Sequence, residues 1–407
     1  MALGRTPVPP ERAMLRQCAS RARISLRWGR VASAAEGGRE ALSQIGPSYQ
    51  PQFRFQHDSS VREAEYHDGV VAGASLAWAD DSSLGLHRRA LLRFKPGGPS
   101  TVLLVKKHRD TEASQKLEQL AIWLRGRGVQ VLVERQVLAE FPHLEACSGD
   151  DVHSVDLCIT LGGDGTVLHL ASLFADDARP IPPVISFAMG TLGFLTPFSA
   201  GEAEAVLAKL LWPPWQAEPV FCTLRTRRQC EVYWAGRMQR VHMVLNECLV
   251  DRGASPAMVL LECFVDGRHA TTVQADGLII APPSGSTAYS MSAGGPMVAP
   301  SVPCTIITPV APHSLSFRPL VVPENSVIEV HLPSNSRAQA RASFDGRHAM
   351  RMLRDSSIVC RASRYALPMI NRHPLDEDWY EGITQKLRWT GSLRPLTSVT
   401  HPPRDRT

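Results

Sequence analysis

A glycine-rich turn that contains one acid is the part of the sequence best suited to chemistry. Gly162, Gly163 and Gly165 surround Asp164, and Thr166 completes the turn. Glycines let the backbone turn sharply and bring N–H groups close to a phosphate. An aspartate in such a loop contacts a metal ion or takes a proton from an incoming hydroxyl. The residues alone also allow an ordinary strand-to-helix turn in which Asp164 caps the helix.

This turn is expected at the carboxyl end of a buried strand. Apolar runs over 101–105, 129–133, 155–161 and 184–187 predict strands, and a helical pattern separates the first two. The alternation of strand and helix predicts a parallel sheet. Ligands of such sheets bind at the carboxyl ends of the strands. Because 162–166 directly follows the third run, we expect a phosphate site there.

The pattern changes after Pro213-Pro214. Many short β-rich segments separated by turn residues fill 220–361, which is typical of an all-β domain. The fold class that we predict is α/β: a Rossmann-like α/β domain followed by an all-β domain, with the active site in the cleft between them. The expected divisions are an extension at 1–97, the α/β domain at 98–215, the β-rich domain at 216–365, a C-terminal segment whose helix packs back on the α/β domain at 366–395, and a tail at 396–407.

The N-terminal extension is predicted to be basic and poorly ordered, with one ordered segment near its end. Arginines recur through Ala35, whereas Glu11 is the only acid before that point. Serines and alanines fill the gaps, which suits either an organelle transit peptide or a disordered basic tail. We expect a cytoplasmic protein, with the chloroplast or the mitochondrion as the alternative.

Composition excludes several classes of protein. The chain has 407 residues and a net charge of +5, but no basic stripe interleaved with aromatic residues, which argues against nucleic acid as a partner. No apolar stretch approaches the roughly 20 residues of a membrane helix. The nine cysteines never form a C-x-x-C pair, so we expect neither a zinc cluster nor a disulfide framework.

Three segments of the β-rich part add candidate ligand groups. Asn246-Glu247 taken alone favours a surface dipeptide at the end of a strand, although a carboxylate can also accept hydrogen bonds from a cis-diol. Asp276-Gly277 precedes a long run of small and hydroxyl residues over 282–295, which would pack a core poorly and therefore favours a binding surface. Phe344-Asp345-Gly346 reads as a β-turn with an architectural role.

The segment 162–166 resembles the diphosphate-binding loop shared by NAD kinases, 6-phosphofructokinases, diacylglycerol kinases and sphingosine kinases. The Asn246-Glu247, Asp276-Gly277 and 282–295 segments resemble NAD kinases specifically, and the likeness extends over about residues 98–395, closest to the long eukaryotic form. Pro282-Pro283 departs from the family pattern, which often has Thr or Ser there.

The resemblance implies that ATP, with Mg²⁺, phosphorylates the adenosine 2′-hydroxyl of NAD. Asp164 would be the catalytic base, and no protein residue is expected as a metal ligand. A lipid kinase and a non-catalytic NAD(P)-binding sensor are the alternatives, and the resemblance implies a homodimer or homotetramer. The implied contacts are phosphates at Gly162, Gly163, Gly165 and Thr166; adenine near Phe194; ribose hydroxyls at Asn246 and Glu247; adenosine at Thr287, Ala288 and Tyr289; and the nicotinamide side at Asp276 and Ser292.

Overall fold

The computed structural model describes residues 70–71, 74–78, 88–94, 98–148, 152, 154–174, 179–212, 220–374 and 376–387. The arginine-rich segment through Ala35 lies outside these residues. Within them the chain forms one mixed sheet covered by helices and two antiparallel sheets that share a core. This agrees with the predicted α/β domain and all-β domain.

The mixed sheet is built from both ends of the described chain. Its central strands β4, β5, β6, β7, β8, β9 and β23 pair in parallel, while β1, β2, β3 and β10 extend one edge in antiparallel pairing. The elements are β1 (Val70–Val71), β2 (Ala74–Trp78), β3 (Arg89–Phe94), β4 (Thr101–Lys106), α1 (Thr111–Arg125), β5 (Gln130–Glu134), β6 (Glu145–Cys147), β7 (Leu157–Gly162), α2 (Asp164–Ser172), β8 (Val184–Ala188), β9 (Phe198–Ser199), α3 (Ala203–Leu211), β10 (Val220–Arg225), β23 (Leu367–Ile370) and α5 (Glu377–Leu387).

Both faces of the central strands are buried, which explains their continuous apolar sequences. In β4, Val102 and Leu104 join the core that α1 and α3 cover. Leu103 and Val105, which point the other way, join the core that α2 covers. Side chains therefore fill both sides of the sheet, and the carboxyl ends of its strands carry the loops described below.

Two expectations about this sheet need correction. Strand β10 lies in the region that we expected to be all-β, yet it pairs with β3 and β23 in the mixed sheet. The sheet also begins before residue 98, because β1, β2 and β3 belong to it. Alternating and apolar runs identify a strand but do not say which sheet it joins, so the sequence pattern could not place these segments.

The second part of the fold is a sandwich of two six-stranded sheets. One sheet has the order β12-β11-β22-β19-β14-β15 and the other has the order β18-β17-β16-β13-β20-β21. Apolar side chains from both sheets form a single core. The elements are β11 (Arg228–Trp234), β12 (Arg237–Val244), β13 (Cys248–Asp251), β14 (Val259–Val265), β15 (Arg268–Ala275), β16 (Gly277–Ala281), a 3-10 helix (Pro283–Thr287), α4 (Tyr289–Ser292), β17 (Cys304–Val310), β18 (Leu320–Pro323), β19 (Ile328–Leu332), β20 (Ala340–Phe344), β21 (Arg347–Met352) and β22 (Ser356–Ala362).

The sandwich is joined to the mixed sheet through two neighbouring strands. The chain leaves the mixed sheet after β10, forms the sandwich and returns as β23. Strand β23 pairs with β10 in antiparallel register, with Cys222 opposite Ile370 at one end and Arg225 opposite Leu367 at the other. Among the described residues, no helix is both long and apolar enough to cross a bilayer.

Candidate active site

The glycine-rich turn lies where β7 ends and α2 begins. Gly163 is the N-cap of α2, and its side-chain position is open: a Cβ atom there would meet nothing within 4 Å, and the same holds for Gly165. At Gly162 a Cβ would lie 2.0 Å from Thr166 Oγ1, so Gly162 is required for packing within the turn. The open side of Gly163 and Gly165 is therefore where a ligand can approach the backbone.

Asp164 does not cap the helix. Its Oδ2 accepts a hydrogen bond from Phe194 N at 3.0 Å, and its Oδ1 accepts from Leu195 N at 3.0 Å and from Thr196 Oγ1 at 3.2 Å. These bonds fix the carboxylate against the loop that follows β8. Each carboxylate oxygen can accept two hydrogen bonds, so with respect to the described residues Oδ2 keeps one acceptor position for a further donor.

The loop after β8 is shaped to fit this carboxylate. A Cβ at Gly193 would lie 1.7 Å from Asp164 Oδ1, and Gly193 N donates to Thr196 Oγ1 at 2.7 Å. Only glycine leaves room for the carboxylate at that distance. The turn at 162–166 and the segment 190–198 are far apart in the chain, but they are in direct contact.

Two cationic side chains, Arg225 and Lys386, contact Phe194 in the loop after β8. Arg225 is buried, and its Nη2 donates to Phe194 O at 3.3 Å. Burial lowers the pKa of Arg225 to about 10, and Asp376 and Asp164 oppose that shift. Lys386 of α5 lies 4.5 Å from the centre of the Phe194 ring; burial lowers its pKa and the Asp164 carboxylate opposes this. The negative charge of Asp164 is thus partly balanced by cations that sequence reasoning had not identified.

A second carboxylate, Asp345, organises the loop between β12 and β13. It accepts hydrogen bonds from the backbone of Leu245, Asn246 and Glu247 at 2.9, 2.7 and 3.0 Å. Asp345 itself has a positive φ of 48° at a tight turn before Gly346. The Phe344-Asp345-Gly346 turn therefore has an architectural role, which is to hold the Asn246-Glu247 segment in one conformation.

Glu247 is buried with one oxygen unsatisfied. It is 8% exposed, and its Oε2 has no hydrogen-bond partner among the residues that the structure describes. Burial raises the pKa of Glu247 to about 7; the Asp345 carboxylate adds to the rise, and a backbone hydrogen bond from Tyr289 opposes it. A buried carboxylate oxygen without a donor is costly, so this atom is available to a hydroxyl of a ligand.

Gly285 connects the small-residue run to this loop. A Cβ at Gly285 would lie 1.7 Å from Asn246 O and 2.6 Å from its carbonyl carbon. The 3-10 helix at Pro283–Thr287 therefore rests directly on the backbone of the Asn246-Glu247 segment. Thr287 and Ala288 are half-buried beyond this contact, Tyr289 is 41% exposed, and Ser292 is exposed.

We expect Gly285→Ala to destabilise the protein, because the added methyl group overlaps backbone atoms that cannot rotate away. Overpacking of this kind costs about 1–3 kcal/mol. Thermal unfolding monitored by circular dichroism measures the effect. Gly163→Ala, whose methyl group meets nothing within 4 Å, is the matched control and should unfold near the wild-type temperature. Equal melting temperatures for both variants would contradict the contact.

Arg347 bridges the two halves of the site. It follows the Asp345 turn, and its guanidinium donates to Gly165 O at 3.2 Å and to His169 Nδ1 at 3.3 Å. Leu245, which begins the Asn246-Glu247 segment, packs into the core beneath α2. These contacts bring the glycine turn and the Glu247 loop together, as the predicted cleft between the domains requires.

Among the described residues, the Asp276 carboxylate, unlike that of Glu247, is paired with a cation. It lies at the turn between β15 and β16, where its Oδ1 accepts from Arg252 Nε at 2.7 Å. Its backbone is held as well, since Asp276 N donates to Val310 O at 2.9 Å. The carboxylate is thus paired with an arginine, whereas Glu247 Oε2 has no such donor within the described part of the chain.

Comparison with known proteins finds relatives over most of the chain. Residues 102–213 match the family model of the ATP-NAD kinase N-terminal domain, and residues 245–372 match that of the ATP-NAD kinase C-terminal domain. The mitochondrial NADH kinase of Schizosaccharomyces pombe is 35% identical over 301 residues, which cover 72% of this chain and 76% of that protein. Chloroplastic NAD kinase 2 of Arabidopsis thaliana is 37% identical over 335 residues, covering 79% of this chain but only 33% of that longer protein.

A solved structure has the same architecture. Yeast NADH kinase complexed with NADH superposes with a TM-score of 0.70 at 30% identity, covering 80% of this chain and 96% of that one. The mixed sheet with its glycine turn and the attached sandwich define the class as a two-domain nucleotide kinase fold. Within that class, the chain belongs to the NAD kinase family. The lipid kinase and sensor alternatives find no support in these comparisons.

Proposed function

We propose that this protein transfers the γ-phosphoryl group of ATP to the adenosine 2′-hydroxyl of NAD, giving NADP. The observation that carries the proposal is the state of Asp164. Its carboxylate is fixed by three donors at the mouth of a glycine turn, and Oδ2 still has one acceptor position. That position suits a hydroxyl proton on a nucleophile that attacks a phosphate bound at the turn.

The residues divide into two binding surfaces. The open backbone at Gly163 and Gly165, with the start of α2, would hold the ATP phosphates, while Gly162 and Thr166 would maintain the shape of the turn. On the sandwich side, Glu247 Oε2 would accept hydrogen bonds from ribose hydroxyls, with Asn246 beside it. The remaining proposed contacts are Phe194 near adenine, Thr287, Ala288 and Tyr289 along the adenosine, and Asp276 and Ser292 on the nicotinamide side.

Mg²⁺ would reach this site bound to ATP. Among the described residues, the carboxylates and histidines around the turn form no cluster of three that could hold an ion. Magnesium prefers oxygen ligands and commonly keeps its waters and substrate phosphates. We therefore propose that the ion takes its ligands mainly from ATP and water, and that it neutralises charge on the transferred phosphate.

The direct test is NADP formation by the purified full chain given NAD, ATP and Mg²⁺. We expect NADP to accumulate in proportion to enzyme concentration and time. NADH and a diacylglycerol as alternative acceptors, and inorganic polyphosphate as an alternative donor, are assayed in parallel. Phosphorylation of the lipid but not of NAD would overturn the proposal. NAD binding without NADP formation would favour a sensor instead.

Gly163→Ala separates phosphate binding from folding. Apart from its chain neighbours, the methyl group meets no atom of the described residues within 4 Å, so the melting temperature should stay near wild type. It would occupy the space that we assign to an ATP phosphate, so we expect KM for ATP to rise about tenfold or more while KM for NAD changes little. Steady-state kinetics with each substrate varied provides the measurement. An unchanged KM for ATP would place the phosphates elsewhere.

We also propose that the protein forms a homodimer or homotetramer. Exposed apolar side chains on the outer strands of both sandwich sheets support this: Met238 and Val241 lie on β12, and Leu320 and Val321 on β18. Size-exclusion chromatography with light scattering gives the mass. A monomer at micromolar concentration would contradict the proposal.

The compartment that we propose is the cytoplasm. The alternative is an organelle, for which the arginine-rich segment through Ala35 and the chloroplastic and mitochondrial relatives are the supporting observations. Imaging of the full chain with a C-terminal fluorescent tag, beside a variant lacking residues 1–35, distinguishes the two. Organelle signal that disappears on truncation would favour the alternative.

A further inference from the structure

Three cysteines from distant parts of the chain meet in the core of the sandwich. Cys230 on β11 and Cys360 on β22 are direct partners across two strands of one sheet, and their Sγ atoms are 3.5 Å apart. Cys248 begins β13 in the opposite sheet. All three Sγ atoms lie within 4.8 Å of one another, so the cluster spans the space between the two sheets.

The cluster lies in the apolar core of the sandwich, where the cation of Arg228 and the carboxylates of Glu231 and Asp345 act on its thiols electrostatically. The three cysteines are 0–1% exposed and belong to the main core of the sandwich. Arg228, two residues before Cys230, is fully buried, and its Nη2 donates to Cys360 O at 2.9 Å. Its Nε is buried without a hydrogen-bond partner among the described residues. A permanent positive charge therefore lies beside the thiols.

We propose that Cys230, Cys248 and Cys360 form a binding site for a divalent thiophilic cation held by three thiolates. The spacing is suitable: at the zinc–sulfur bond length of about 2.3 Å a trigonal planar site places its sulfurs about 4.0 Å apart, and the longer bonds of a larger ion place them further apart. The three Sγ atoms already lie within 4.8 Å of one another. Small movements of the side chains would complete the coordination.

The net charge of the site favours a divalent ion over a monovalent one. A buried net charge is costly, and three thiolates around a divalent cation leave one negative charge. The guanidinium of Arg228, which donates to Cys360 O, supplies one positive charge that offsets it. A monovalent ion would leave one uncompensated negative charge.

Coordination number narrows the choice further. Structural zinc sites use four ligands, and three is the number that the described residues offer here. Soft ions that accept three thiolates, such as Cd²⁺, are therefore the expected occupants. Sequence spacing alone does not indicate the site, because its ligands come from three strands and form no C-x-x-C pair.

The experiment is a titration of the reduced full chain with Cd²⁺ under anaerobic conditions. Cys18, which lies outside the described residues, and half-buried Cys147 are first replaced by alanine to remove thiols outside the core. We expect one ion per chain, a cadmium–thiolate absorption band in the near ultraviolet, and release of up to three protons per ion, since thiols must ionise to bind. Uptake should be slow, because the cluster is sealed from solvent.

Cys248→Ala is expected to lower the affinity for Cd²⁺ by more than about 100-fold, since even partners outside the ligand set contribute 10–100-fold. Cys263→Ala is the matched control, because Cys263 is equally buried in the same core but lies outside the cluster. Equal Cd²⁺ binding by both variants would overturn the proposal.

A second measurement does not depend on any cluster variant. Cadmium-113 NMR of the loaded protein reports the ligand atoms directly, and we expect the strongly deshielded signal of a site with sulfur ligands only. A signal typical of oxygen or nitrogen ligands, or no sulfur-bound ion after prolonged incubation, would overturn the proposal whether or not the alanine variants fold.

Discussion

Asp164→Asn is expected to lower kcat for NADP formation about 10²–10⁴-fold, the usual contribution of a positioned base. Asparagine has nearly the same shape, but its amide cannot take a proton from the attacking hydroxyl. Its NH₂ group would also face the backbone N–H of Phe194 or Leu195, both of which now donate to the carboxylate. NAD affinity, measured by calorimetry, should stay close to wild type.

A matched control for this substitution is Asp156→Asn. Asp156 also accepts two backbone hydrogen bonds, from Ser100 and Thr101 at 2.7 and 3.0 Å, but it lies at the amino end of β7, away from the glycine turn. Its asparagine variant should keep wild-type turnover. If Asp164→Asn keeps wild-type turnover as well, Asp164 is not the base.

The second large effect is on NAD binding at Glu247. Burial raises the pKa of this glutamate to about 7, so at lower pH it is protonated and can accept fewer hydrogen bonds. We expect NAD affinity to increase as pH rises through about 7. Glu247→Gln should bind NAD about 10–100-fold more weakly above that pH, the range for a hydrogen bond to a charged group, and should show little pH dependence.

The same carboxyl should be visible in the stability of the free protein. Between its ordinary pKa of 4.5 and the folded value of about 7, Glu247 is ionised when unfolded but protonated when folded. The unfolding free energy therefore falls as pH rises across this window, by about 3 kcal/mol, and levels off above it. Glu247→Gln should remove this fall.

Denaturant titrations from pH 4.5 to 8 measure how the unfolding free energy depends on pH. For the NAD-binding prediction, the control variant is Glu262→Gln. Burial also raises the pKa of Glu262, but it lies on β14 in the sheet that does not contain β13. Its variant should bind NAD as wild type does, with the same pH dependence. If NAD affinity in the Glu247 variant rises through pH 7 as in wild type, another group is responsible.

The places of the glycine turn and the Asp345 turn in the fold were predictable from the sequence. A glycine turn after a buried apolar run must lie at the end of a strand, which is where Asp164 is found. The Asp345 turn was also recognisable, because Asp-Gly is a strong turn signal. The sandwich was predictable as an all-β region because short strands alternated with turn residues.

Long-range relations were beyond the sequence. Nothing near Arg347 indicates that it reaches Gly165, and nothing near Lys386 indicates that it lies over Phe194. The burial of Arg225 could not be foreseen either, since arginines are usually exposed. The three-cysteine cluster was missed for the same reason: pairing of β11 with β22 decides it, and strand pairing depends on the whole fold.

The placement of the sandwich between β10 and β23 has a mechanical consequence. Because these strands are neighbours, the sandwich is an insertion whose two ends leave the mixed sheet side by side. Two adjacent crossings permit rotation about a single hinge axis, and the buried Arg227, which donates to Phe174 O in the α/β part, restrains that rotation. Rotation about that axis would have to break the hydrogen bonds that Arg347 of the sandwich makes to Gly165 O and His169 Nδ1 of the α/β part.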